Sequence, residues 1–190
     1  MDFSDILDFW FGPPASPQRG RPRQEWFRKN ADFDAQIRGR FLDEHEAALA
    51  GMRGNWEATP HAALALVIAL DQFARNMFRD SPRAFAADQA ALAVARRMVG
   101  VGFDRLLRPI ERCFAYLPFE HSEDLAAQRR SLALFEGLRF SSDCGGNIDY
   151  AYRHYEIIAR FGRFPHRNAV LARTSTPEET EFLRQPGSGF

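Results

Sequence analysis

Three short stretches gather most of the residues able to hold a ligand or move a proton. LDQFARNMFR carries Asp71, Gln72, Arg75, Asn76 and Arg79; PFEHSEDLAAQ carries Glu120, His121, Glu123 and Gln128; RFGRFPHRN carries Arg163, His166, Arg167 and Asn168. Asp71, Arg75 and Arg79 recur at i, i+4 and i+8, so on a helix they form one polar row with Gln72 and Asn76 beside it. Guanidinium forks of that kind bind carboxylate or phosphate bidentately. The alternative is an internal network in which Asp71 pairs with Arg75 and the amides satisfy loop carbonyls.

Histidine offers acid–base chemistry near neutral pH. His121 shares a helical stripe with Leu125, Gln128, Leu132 and Phe135, which puts both His121 and Gln128 on an apolar face where each needs hydrogen bonds. Glu120, Glu123 or Asp124 could orient it, and His121, His166 and Glu123 are the candidate catalytic groups. Ser122 reads as a helix N-cap, with Glu123 and Asp124 in the positive first turn. His154 lies between Tyr150 and Ile158 at helical spacing and faces partly inward. No metal is expected: His121-x-Glu123 lacks the Pro-Cys-x-x-Cys of a zinc deaminase, and no His-Glu-x-x-His helix is present. No cofactor is expected either: phosphate-cradling glycine loops are absent, and so are serine or cysteine nucleophile motifs such as Gly-x-Ser-x-Gly.

In RFGRFPHRN, Gly162 suits a left-handed helix stop, Pro165 blocks resumption, and Arg160 and Arg163 sit where a helix C-terminus favours cations. His166, Arg167 and Asn168 exceed what punctuation requires and fall where the next short helix exposes N–H groups favourable to an anion. From Tyr152 to Arg173 five arginines face one acid, Glu156, a local excess of four positive charges (five minus one). A second basic run, Arg19 to Lys29, reads as solvent-exposed.

The elements that must position these groups are helical. Phe33, Ile37, Phe41 and Ala48 share a stripe, Thr59-Pro60, Ser81-Pro82 and Thr176-Pro177 are helix starts, and Glu179 completes a capping box with Thr176. These signals predict helices near 4–11, 32–50, 60–78, 82–99, 109–116, 122–139, 147–161 and 177–184, with a short turn at 166–172. No period-two strand appears. Short connections favour antiparallel neighbours, so the expected fold is all-α, about eight helices in stacked antiparallel hairpins. The chain reads as a single domain over 1–190, with 12–22 a surface loop and 185–190 a frayed tail.

ILDFWFG (Ile6 to Gly12), LDQFARNMFR (Leu70 to Arg79), AFAAD (Ala84 to Asp88), YLPFEHSEDLAAQ (Tyr116 to Gln128) and RFGRFPHRN (Arg160 to Asn168) together resemble the bacterial proteins of domain-of-unknown-function family 924. That resemblance spans nearly the whole chain. It implies a tetratricopeptide-like stack of helix pairs and no accepted activity.

Composition narrows the partners. Twenty-five basic residues balance 25 acidic ones, which removes a global field for nucleic acid or an anionic membrane. RNA would need aromatic platforms beside the basic patch; Phe161 and Phe164 qualify, but the neutral charge opposes it. The longest apolar run, Ala62 to Leu70, is too short to span a bilayer, and the acidic start MDFSDILDFWFG is unlike a secretory signal, so a cytoplasmic protein is expected. Cys113 and Cys144 are read as two reduced thiols. The functional expectation is a groove in which Arg75, Arg79, Arg163 and Arg167 capture an acidic peptide or small anion. The alternative is a metal-independent hydrolase or lyase of an anionic metabolite using His121 or His166.

Overall fold

In the computed structural model, which describes all residues except Gln18, Ser142, Gly145 and Phe190, regular structure is helical and no strand occurs among the described residues. The helices are α1 (Phe3–Phe11), α2 (Ala31–Leu49), α3 (60–77), α4 (Asp88–Gly100), α5 (Pro109–Glu120), α6 (Leu125–Glu136), α7 (Asn147–Phe161) and α8 (Pro177–Leu183). From α2 to α7 each helix packs on the next, while α1 lies on α3.

Helix α3 is central and buried on all sides, and it is not a regular α-helix. Between Pro60–Val67 and Phe73–Met77 lies a π segment, Ile68–Gln72, in which the Phe73 N–H reaches back to the Ile68 carbonyl. In an α-helix that N–H would take the Ala69 carbonyl. Buried His45 of α2 takes it instead, Nδ1 to oxygen 2.8 Å. Periodicity alone gave no sign of the extra residue, which reorients Asp71 and Gln72 relative to the turns on either side.

Trp10 is fully buried and its ring meets those of Trp26, Phe33, Phe73 and Phe114 at 5.5–6.0 Å between centroids. This aromatic cluster ties α1 to α2, α3 and α5. The basic run after α1 is therefore less exposed than expected. Arg23 donates to the Phe9 and Trp10 carbonyls at 2.7 and 2.9 Å, because the last carbonyls of a helix have no partners within it, and Arg19 forms an ion pair with the Asp8 carboxylate at 2.8 Å.

Several boundaries shift. The segment expected as a helix over 82–99 opens as a 3-10 turn, Pro82–Ala84, before α4 begins at Asp88. Helix α5 runs four residues past 116, to Glu120, with Pro118 in its last turn and His121 as its C-cap. Asp124, not Ser122, caps α6, its side chain accepting from the Ala126 N–H at 3.0 Å. Gly162 closes α7 with φ 69°, and Thr176 and Glu179 form the capping box of α8. Of the expected tail 185–190, Phe190 lies outside the described residues.

The two cysteines are not free thiols. Cys113 of α5 is disulfide-bonded to Cys144 with their Cα atoms 6.8 Å apart, because the connection after α6 returns to the flank of α5 and buries both sulfurs. A link between residues 31 positions apart should stabilise by about 3–4 kcal/mol through loop entropy. Urea unfolding with and without reductant measures this, and Trp10→Ala should lower the same stability by about 3–5 kcal/mol.

Candidate active site

The candidate site forms where the π segment of α3, the start of α4, the α5–α6 corner, α7 and the turn after it converge. Asp71 is fully buried. Its Oδ1 lies 2.7 Å from His121 Nδ1 and 3.1 Å from Arg75 Nη1, and its Oδ2 accepts from Gln72 Nε2 at 2.5 Å. Burial opposes ionisation of this carboxyl, but the Arg75 charge, then His121 and Gln72, outweigh it and hold Asp71 well below the usual carboxylate range.

An ionised carboxylate only accepts, so His121 Nδ1 is the donor and the imidazole proton sits there. Burial and the Arg75 charge lower the His121 pKa against the pull of Asp71, which keeps the ring neutral. Its Nε2 has no hydrogen bond among the described residues. His121 lines a pocket of about 220 Å³ together with Phe85, Asp88, Gln89, Ser122, Glu123, Arg167 and Leu171.

The corner carrying His121 is pinned on both sides. Gln128 Nε2 donates to the Glu120 and Ser122 carbonyls at 2.6 and 2.8 Å, and Arg167 Nη2 donates to the His121 carbonyl at 3.1 Å. Arg167 lies between the Phe85 and Phe164 rings, 4.6 and 4.4 Å from their centroids, and pairs with Asp88 at 3.2 Å. Asp88 also takes a two-pronged contact from Arg75, at 2.9 and 3.2 Å. Burial, then the neighbouring Arg75, lowers Arg167 to about 10, still cationic at neutral pH. Glu123 accepts from both Nη atoms of Arg173 at 2.6 and 2.9 Å and from the Phe164 N–H at 2.8 Å, so despite burial its carboxyl titrates below the ordinary value.

Behind the pocket, Glu120 Oε1 lies 3.2 Å from His154 Nδ1, and the His154 ring is 6.2 Å from that of His121. Burial, with repulsion from Asp71, pushes Glu120 up to about 8, while burial foremost takes His154 down to about 3. This pair is uncharged at neutral pH. His166 is lowered to about 4 by burial and then by Arg167, and its ring lies tilted by 40° against that of Phe164, 5.6 Å between centroids.

Other sequence candidates lie elsewhere. Helix α3 ends at Met77, so the i+8 row breaks and Arg79 turns to Asp34 of α2, at 2.5 and 3.0 Å, with Asn76 on the same carboxylate at 2.7 Å. Arg163 binds Glu179 of α8 at 2.6 and 2.7 Å, and Asn168 donates to Glu179 and Ser175. Sequence reasoning did not assign Asp88, Phe85 and Arg173 to the site. Asp88 and Arg167 are 79 residues apart, and the helix expected over 82–99 placed Asp88 in its interior, where nothing local marks it as a partner for Arg167.

The fold and site thus define an all-helical protein with a buried Asp–His pair at the wall of a small pocket. A family model for bacterial proteins of unknown function (DUF924) matches residues 6–187, and the chain belongs to that family. A solved structure of a protein of unknown function from Agrobacterium tumefaciens is similar at 40% identity and a TM-score of 0.84, covering 95% of this chain and 96% of the other. No curated protein matches the sequence.

The Glu120 carboxyl makes stability pH-dependent. Its folded pKa, about 8, exceeds the ordinary 4.5, so as pH rises through that window the unfolded chain releases a proton that the folded one keeps, and stability falls. Glu120→Gln should therefore gain on the wild type between pH 4.5 and 8, by an amount on the order of a few kcal/mol, with the gap closing below pH 4.5. Urea midpoints across pH 4–8 check the sign.

Proposed function

We propose that the pocket is a small-molecule site in which His121 serves as acid–base catalyst, its ring held in one tautomer by Asp71. What carries the reading is the 2.7 Å contact of Asp71 Oδ1 to His121 Nδ1 on the wall of that pocket. With Nδ1 committed, proton exchange falls to Nε2, and the ionised Asp71 stabilises the imidazolium that forms once Nε2 takes a proton. His166 is the weaker candidate for the same role, since burial and then Arg167 lower its pKa to about 4 and leave it a poor proton acceptor. Glu123, already engaged by Arg173 and a backbone N–H, acts by holding the turn that carries Phe164 rather than by transferring a proton.

The arginine groove for an acidic peptide has less support. Arg79 and Arg163 are engaged by Asp34 and Glu179 away from the pocket, and Arg75 and Arg167 share Asp88. Consecutive packing from α2 to α7 supports the tetratricopeptide-like arrangement and the single domain over 1–190, which we take as part of the same proposal. No helix among the described residues is long and apolar enough to cross a membrane.

Side-chain nitrogen NMR of the ligand-free protein at pH 7 should show His121 protonated at Nδ1 and bare at Nε2, and Asp71→Asn should redistribute the tautomers. A doubly protonated His121, or one carrying its proton on Nε2, would overturn the dyad. In a metabolite turnover screen, His121→Ala should lose roughly 10²–10⁴-fold of any rate found. Turnover unchanged in that variant removes His121 from the chemistry.

A further inference from the structure

Charge around the pocket is balanced. Asp88, Glu123 and Arg167 line it, and Arg75 and Arg173 stand behind the two carboxylates and are bonded to them. With Asp71, which pairs with Arg75, that makes three guanidinium groups (Arg75, Arg167, Arg173) against three carboxylates (Asp71, Asp88, Glu123) among the described residues, a net charge of zero. His121, His154, His166 and Glu120 add nothing at neutral pH, since burial foremost holds the three rings neutral and the Glu120 carboxyl protonated. Neither a carboxylate nor an ammonium meets an unanswered counter-charge there, so either gives up hydration without a compensating ion pair.

A neutral polar group finds a partner of each kind. Of the five N–H donors of Arg167, one on Nη1 goes to Asp88, one on Nη2 goes to the His121 carbonyl, and Nε is buried without a partner, which leaves one on each Nη. The guanidinium carrying them is held in place: the side chain is 6% exposed and lies between the Phe85 and Phe164 rings. The bare Nε2 of His121 is an acceptor on the same wall, its Nδ1 being committed to Asp71. Asp88 and Glu123 each accept three hydrogen bonds already. Pro82, Phe85, Ala86 and Leu171 supply an apolar flank.

We infer that the pocket takes a small uncharged molecule with a carboxamide next to an apolar group, the amide oxygen accepting from Arg167 and the amide N–H donating to His121 Nε2. A carboxamide presents one acceptor and one donor from a single planar group, which matches what the wall holds open. A carboxylate of the same shape only accepts and an amidinium only donates, so each ion loses one of the two contacts. This rests on the His121 reading above and gives its substrate class: an N–H brought against the imidazole nitrogen that exchanges protons, with the carbonyl beside a cation.

The test titrates benzamide, benzoate and benzamidinium, which share a shape and differ in charge, into the full chain at pH 7, following the His121 side-chain nitrogens and backbone amides around residues 85–89 and 121–123. Benzamide should shift them saturably and bind roughly three- to tenfold more tightly than either ion, the worth of one net hydrogen bond. Asp88→Asn removes one carboxylate at nearly constant shape, leaves one positive charge in excess, and should raise benzoate above benzamide. If that variant does not fold, Gln89→Lys, at an exposed position on the pocket rim, adds a positive charge without disturbing the interior. It should tighten benzoate roughly two- to fivefold, the range of a solvent-screened charge pair, and leave benzamide unchanged. Preference for benzoate or benzamidinium in the wild type would overturn the uncharged class, and so would an unchanged order in folded Asp88→Asn. Equal binding of all three would remove the selectivity, and no binding of any probe at millimolar concentration would remove the ligand class. Each of these leaves the Asp71–His121 tautomer, measured without ligand, to be judged separately.

Discussion

A carboxylate with no solvent exposure sits at the middle of this protein, and much of the surrounding polar structure follows from keeping Asp71 charged there. Burying an isolated ion costs far more than a folded chain can offset, so the charge must be met by partners within hydrogen-bond reach. Arg75 supplies the balancing charge, and His121 and Gln72 supply donors. Arg75 then brings Asp88, Asp88 brings Arg167, and Arg167 fastens the His121 carbonyl. The network closes on itself around the one imidazole that faces the pocket. Two acidic groups in this region take opposite protonation states, Asp71 ionised beside cations and Glu120 neutral away from them, a division that environment alone produces.

The frame holding this network is apolar and aromatic. Trp10, Phe41, Phe73 and Phe114 are all essentially inaccessible to solvent and fix α1, α2, α3 and α5 against one another. The π segment sits inside that frame, its released Ala69 carbonyl satisfied by His45, so the extra residue costs no unpaired group there. An irregularity buried this deeply persists because the packing around it is over-determined, and it is the element from which Asp71 is presented.

Much of the secondary structure was legible from local signals, since caps and stops act within a few residues. Thr176 with Glu179, and Gly162 in its left-handed conformation, behave as their types and neighbours require. The site was half legible. His121, Arg75, Glu120, Gln128, His154 and Arg167 stood out as polar residues on apolar faces or as charge in excess of capping, and the fold brings them together. Arg79, Asn76, Arg163 and Asn168 carried the same signal and went to Asp34 and Glu179, because an arginine's spacing says that it needs a partner without saying which.

By itself the amino-acid sequence determined the helical class, most helix ends and the family, all of which depend on periodicity, local hydrogen bonding or similarity along the chain. Tertiary structure decided which carboxylate meets which arginine, that Cys113 and Cys144 join, and that α3 carries a π segment. The physical reason is common to all three. Ion pairs, a disulfide and a register shift are settled by distances between segments tens of residues apart, and such distances exist only once the core has packed.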